Sequence, residues 1–191
     1  MRQPKIILLD GMPTSGKSTI SYDLAKKLPG WIFIDIWRIK DLFETLGYSK
    51  DLDRKEKNEL EKIAKETIIK LTRGIIRKTQ RNIILQDTTP KFVNEKFGKD
   101  LKKFNYKFYI IQLKVPFKEA IKRNRKRDKP DLSFMKTWTE ERWENKIKRK
   151  KGDIVVDSFK NTPEQVVKII LKAIGEKPKK HFYEKHIRKY W

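Results

Sequence analysis

Gly11-Met12-Pro13-Thr14-Ser15-Gly16-Lys17-Ser18-Thr19 decides how the rest of this chain is read. The stretch fits the pattern G-x-x-x-x-G-K-[ST]. Before it, Ile6-Ile7-Leu8-Leu9 is a short apolar run of the kind a buried parallel strand needs. After it, Ser18 to Leu28 reads as a helix. A strand, a glycine-rich turn and a helix in that order aim backbone N–H groups and the positive helix end at one point, which makes an anion cradle. The expectation is a nucleoside triphosphate held by Gly11, Thr14, Ser15, Gly16, Lys17, Ser18 and Thr19. Lys17 would neutralise the β- and γ-phosphates, and the Ser18 hydroxyl would ligate Mg²⁺. The competing reading is a glycine-rich turn with no ligand, against which the full motif speaks.

Composition narrows the class. At 191 residues the chain is long enough for one domain with a full core. It is read as a domain over residues 1–176 and a basic, aromatic segment over 177–191. There is no Cys, which excludes disulfides and thiolate metal sites. No apolar stretch approaches a membrane span, and the N-terminus runs into the first strand without a signal peptide, so a soluble, cytoplasmic protein with no membrane partner is expected. Lys and Arg number 48 against 25 Asp and Glu, a formal net charge of +23. A field this positive favours a polyanionic partner such as nucleic acid. A lysine-rich solvated surface with no specific partner remains the alternative.

Strands and helices alternate along the whole length. Strand-like runs are Lys5–Asp10, Trp31–Ile36, Asn82–Asp87, Lys107–Leu113 and Asp153–Asp157. The clearest helix is about Arg54–Thr79, where Leu60, Ile63, Ala64, Thr67, Leu71 and Ile75 recur at helical spacing. Others are about Trp37–Leu46, Lys91–Lys103, Pro116–Arg127, Thr137–Arg149 and Thr162–Ile174. The pattern predicts an α/β three-layer sandwich of the P-loop, nucleotide-kinase-like kind, with a five-stranded parallel sheet and a helical lid at about 120–150. In such sheets ligands sit beyond the carboxyl ends of the strands.

Polar residues at those ends are therefore candidates. Asp35 could accept a hydroxyl proton as the nucleophile attacks a γ-phosphate, and Arg38 could grip a substrate phosphate. Alternatively, Asp35 caps a helix starting near Trp37. In Gln86-Asp87-Thr88-Thr89-Pro90, Asp87 and Thr88 could orient the substrate, or Asp87, Thr88 or Thr89 could cap a helix whose first residue is Pro90. Arg123 and Arg127 lie four apart and share a helix face, so both could span a triphosphate and stabilise the charge spreading over the transferred phosphoryl group. The competing reading is a plain basic helix. Phe134, Met135, Trp138 and Trp143 form a lid, a substrate wall or ordinary packing. The 177–191 segment interleaves basic and aromatic residues, as single-strand binding uses, yet Phe182, Ile187 and Tyr190 could equally pack.

With these residues in place, the chain resembles the small P-loop kinases related to phage-type polynucleotide 5′-hydroxyl kinases, adenylylsulfate kinases and chloramphenicol phosphotransferases. The polynucleotide kinase domain is the nearest by motif. The likeness rests on the Lys17-Ser18 loop, Asp35-x-x-Arg38, Asp87-Thr88, Val115-Pro116 and Lys122-Arg123-Asn124-x-Lys126-Arg127, over roughly residues 4–145. It implies Asp35 as general base, Arg38 on the acceptor's 3′-phosphate and Arg127 on the donor phosphates. Leu46-Gly47-Tyr48-Ser49 and the closing strand and helix look more like adenylylsulfate kinases. The expected activity is transfer of the γ-phosphoryl of ATP, as its Mg²⁺ complex, to the 5′-hydroxyl of RNA or DNA. Two alternatives stand beside it: a small-molecule kinase acting on a nucleotide, adenylylsulfate or another metabolite, and a nucleic-acid-binding NTPase or NTP sensor.

Overall fold

An apolar run can serve as a central strand only if both of its faces are covered, and Ile6, Ile7, Leu8 and Leu9 are all fully buried in the computed structural model. The structure describes residues 3–35, 53–86, 88–126, 137–146 and 153–178. Their order is β1 (Lys5–Gly11), α1 (Lys17–Lys27), β2 (Ile32–Asp35), α2 (Arg54–Thr79), β3 (Ile83–Gln86), α3 (Pro90–Lys103), β4 (Lys107–Lys114), α4 (Phe117–Arg125), α5 (Glu140–Lys146), β5 (Ile154–Asp157) and α6 (Pro163–Ala173). The five strands form one parallel sheet in the order β2-β3-β1-β4-β5, the α/β architecture that the alternation predicts. β2 pairs with β3 from Ile32↔Ile83 to Asp35↔Gln86, and β4 with β5 from Ile111↔Ile154 to Lys114↔Asp157. β1 is thus the central strand, and the Gly11–Thr19 stretch leaves its carboxyl end.

By contacts the chain divides into two compact units, the first being Met1–Leu8 with Gly30–Phe108. Its core gathers Ile6, Leu8, Ile34, Ile76, Ile83, Leu85, Val93, Phe97, Leu101 and Tyr106. α2 starts in a capping box, Asp53 accepting from the N–H groups of Lys55 and Glu56 while Glu56 reaches back to the Asp53 N–H. α3 starts at Thr89, whose hydroxyl accepts from the Phe92 N–H, with Pro90 as first residue; of the three polar candidates there, Thr89 is the cap. Asp100, nearly buried, is held by Arg73 and Arg77 from α2 at 3.2 and 2.9 Å. Burial pushes the Tyr106 hydroxyl up to about 12, and that hydroxyl donates to the Arg81 carbonyl.

On α2 the buried line differs from the spacing singled out above. Ala64, Ile68, Thr72 and Ile76 face inward, whereas Ile63 and Leu71 are each 49% exposed. Apolar residues at i, i+3 and i+4 leave two adjacent lines available on a helix, and the sheet accepts only one of them.

The second unit comprises Leu9–Pro29 and Tyr109–Trp191. Here α1 and β5 both pack on α6, and α4 on α5. α6 buries Val166, Val167, Ile170 and Leu171, after a capping box between Thr162 and Gln165. Met12, Val115, Ala120 and Trp143 form its satellite core. Trp143 is fully buried; its indole N–H donates to the Val115 carbonyl at 2.9 Å, and Trp138 meets it edge to face at 6.0 Å. Of the aromatic helix, these two residues pack; Phe134 and Met135 lie outside the described residues. No helix among the described residues is long and apolar enough to cross a membrane.

Candidate active site

The phosphate loop owes its shape to backbone conformations that few residues adopt. Gly11 has φ 152°, and a Cβ there would stand 2.7 Å from Ser15 Oγ and 2.8 Å from the Leu113 carbonyl oxygen. The carbonyl belongs to β4 and has no room to yield. Gly11→Ala is therefore expected to cost about 2–4 kcal/mol, from strain and overpacking together. Thermal melting checks it, with a fall of roughly 5–15 °C expected for a chain of this size.

Gly16, at φ 93°, is the N-cap of α1, and a Cβ there would meet nothing within 4 Å. Here the positive φ, not crowding, favours glycine. No side chain caps α1, and its first turn holds no acidic residue. By contrast, α2, α3 and α6 each have a side-chain cap. A helix N-terminus left without a cap and free of carboxylates suits an anion.

Around this opening the predicted residues gather. Lys17 folds back, its ammonium donating to the carbonyls of Gly11 at 3.0 Å and Met12 at 3.3 Å. Ser15 is fully buried, with no hydrogen-bond partner for its Oγ. Ser18 and Thr19 are exposed in the first turn of α1. Among the described residues no group of three or more His, Cys, Asp or Glu could hold a metal ion. Mg²⁺ does not need one, because it keeps several waters and binds through one or two protein groups plus substrate phosphates. An uncapped helix end, a nearby ammonium and an exposed hydroxyl thus fit a triphosphate with its Mg²⁺.

Thr14 stands at φ 66°, unusual for a β-branched residue. Its hydroxyl donates to the Ala120 carbonyl at 3.2 Å. Its own carbonyl accepts from Arg123 at 3.3 Å, and Arg123 also bonds Glu119 at 3.2 Å and the Ser158 carbonyl at 3.0 Å. The guanidinium expected to face a triphosphate is thus engaged with α4, the loop and the turn after β5. Its expected companion, Arg127, lies outside the described residues.

Asp35 ends β2 in the first unit, in register with Gln86 at the end of β3. The Gln86 amide donates to Asp35 Oδ2 at 3.4 Å, while Gln86 itself is 1% exposed. Sequence reasoning assigned Gln86 nothing. The available signal was a polar residue closing an otherwise apolar run, Ile83-Ile84-Leu85. Thr88 is half-buried, whereas Arg38 and Asp87 lie outside the described residues, as do positions 179–191.

This sheet and loop define a P-loop NTPase of kinase-like architecture. Residues 7–133 match the family described as an AAA domain, and the chain belongs to it. No curated protein matches the chain. Among solved structures, the tunicamycin resistance protein of Deinococcus radiodurans is 17% identical, with TM-score 0.64 over 94% of this chain and 99% of that one. A sugar kinase from a Janibacter species is 16% identical, with TM-score 0.58 over 93% and 97%. Shikimate kinase from Aquifex aeolicus is 22% identical, with TM-score 0.55 over 89% and 96%. At such identities the shared property is the fold.

Proposed function

We propose that this chain transfers the γ-phosphoryl group of ATP to a hydroxyl, and that its acceptor is the 5′-hydroxyl of a polynucleotide. The observation that carries the reading is the uncapped, carboxylate-free start of α1, with the Lys17 ammonium held over the same loop. Lys17 exchanges its two carbonyl partners for phosphate oxygens when nucleotide binds, and Gly11, Thr14, Ser15 and Gly16 shape the loop around them. Ser18 would hold Mg²⁺, which neutralises charge on the β- and γ-phosphates when bound. Asp35 takes the proton of the acceptor hydroxyl as its oxygen attacks the γ-phosphorus, and ADP leaves with the electron pair of the broken P–O bond. Arg127 supports the donor phosphates, Arg38 grips a phosphate of the acceptor, and Asp87 and Thr88 orient it. Residues 1–176 would act as the kinase domain, with 177–191 as an added basic surface.

The net charge of +23 supports a polyanionic acceptor. Each neutralised phosphate releases counterions, so the logarithm of oligonucleotide affinity should fall with that of salt by about 0.7 per phosphate contacted. Arg38→Ala should reduce that slope by about one contact. A salt series on both proteins checks this, and a flat series turns the reading to a small acceptor. That second reading has its own support, since the fold is shared nearly end to end with a sugar kinase and shikimate kinase. The deciding experiment offers γ-labelled ATP to 5′-hydroxyl oligonucleotides and, in parallel, to a panel of sugars, nucleotides and other metabolite alcohols. Label on the oligonucleotide is expected. Label only on a metabolite selects the second reading. Release of inorganic phosphate with no labelled acceptor leaves an NTPase or sensor.

A further inference from the structure

The phosphate loop carries a cost that the motif does not explain. Position 14 adopts φ 66°, yet it is occupied by a β-branched residue that disfavours this region. Within the loop the Ser15 N–H closes a turn on the Met12 carbonyl, and the partners of Thr14 itself come from α4. Its hydroxyl donates to the Ala120 carbonyl, and its carbonyl accepts from Arg123 Nη1. Arg123 in turn is braced at both ends. Its Nε donates to Glu119 one turn earlier, and its Nη2 donates to the Ser158 carbonyl at 3.0 Å. Ser158 is itself fixed, since both its N–H and its hydroxyl donate to the Lys114 carbonyl at the end of β4, each at 2.8 Å. The strained peptide is thus tied through one guanidinium to the carboxyl end of β4.

We propose that Arg123 is a positioning residue, which holds the Thr14 peptide, and with it the phosphate loop, in its anion-ready shape before nucleotide arrives. Its three bonds go to one carboxylate and two carbonyls, so it acts on the loop and not on the transferred phosphate. The planar fork of arginine is what lets one side chain serve Glu119, Thr14 and Ser158 together; a lysine ammonium would keep the charge but not that geometry. Preorganisation of this kind appears in affinity, because a loop that must first be reshaped binds in proportion to its competent fraction. The inference rests on the reading that this loop takes a nucleotide.

The test is calorimetric titration of the full chain with ADP and Mg²⁺, joined to thermal melting and turnover. Arg123→Gln should weaken ADP about tenfold, the scale of one released strained residue. Arg123→Lys should lose nearly as much although the charge is kept. Turnover at saturating ATP should change less than about threefold, so that the loss falls on KM. The decisive protein is the double variant Thr14→Gly/Arg123→Gln. Glycine adopts φ 66° without strain, so the loop no longer needs holding, and most of the affinity lost in Arg123→Gln should return. Full affinity in Arg123→Lys, or no recovery in the double variant, would show a direct charge on the nucleotide and overturn the proposal. Unchanged affinity in Arg123→Gln overturns it as well. If Lys17→Ala binds ADP as tightly as the parent, or the parent binds none, the nucleotide reading itself fails and takes the proposal with it.

Discussion

Lys17→Ala should cut phosphoryl transfer by about a hundredfold or more, the usual cost of removing one preorganised donor from a developing anion. The side chain's contacts explain why the loss should fall on nucleotide binding and transfer and not on folding. Its ammonium is only half-buried and donates to the carbonyls of Gly11 and Met12, neither of which depends on it for the sheet. The turn itself is held by the Ser15 N–H on the Met12 carbonyl and by the Ile20 N–H on the Gly16 carbonyl. Melting should therefore move by no more than about 1 kcal/mol equivalent. Turnover is measured by label transfer and folding by circular dichroism on the same preparation. A folded variant that turns over normally would remove this loop from the reaction.

The second large effect is expected at Asp35. Asp35→Asn should retain ADP affinity and lose about a hundred- to ten-thousandfold in transfer, the range of general-base catalysis. The substitution is nearly isosteric, and its amide can still turn an oxygen toward the Gln86 Nε2 donor, so the end of β2 keeps that hydrogen bond. What the amide cannot do is take a proton. If Asp35 serves instead as a helix cap, Asn caps nearly as well and activity survives. Nucleotide affinity and transfer rate measured side by side separate the two, and full activity at unchanged stability assigns Asp35 to structure.

Much of this architecture was legible because it is local. Each of the five expected strands is present, and their described ends differ from the expected ones by at most a residue. Asn82 lies just before β3, where its side-chain oxygen accepts from the Lys5 N–H and its carbonyl from the Ile32 N–H. Such edges depend on cross-strand partners, which no reading of one segment contains. The cap at Thr89 was one of three possibilities, and backbone geometry chose among them.

By itself, the sequence determined the phosphate loop and its setting. An apolar strand, glycines at positions of positive φ, and a helix whose cap has no side chain are short-range properties, set by residues within one turn of each other. Only the tertiary structure decided where longer side chains spend their polar groups. Arg123, four residues from Arg127, was equally suited by spacing to a triphosphate, yet its guanidinium bonds Thr14, 109 residues away, and Ser158, 35 away. Trp143 and Gln86 likewise found partners 28 and 51 residues distant, and α2 buried one of two apolar lines that its spacing left equivalent. Sequence periodicity reports which face of an element is apolar, but the partner of a buried or braced polar group depends on which elements the sheet order brings side by side, and that is set by the packing of the whole chain.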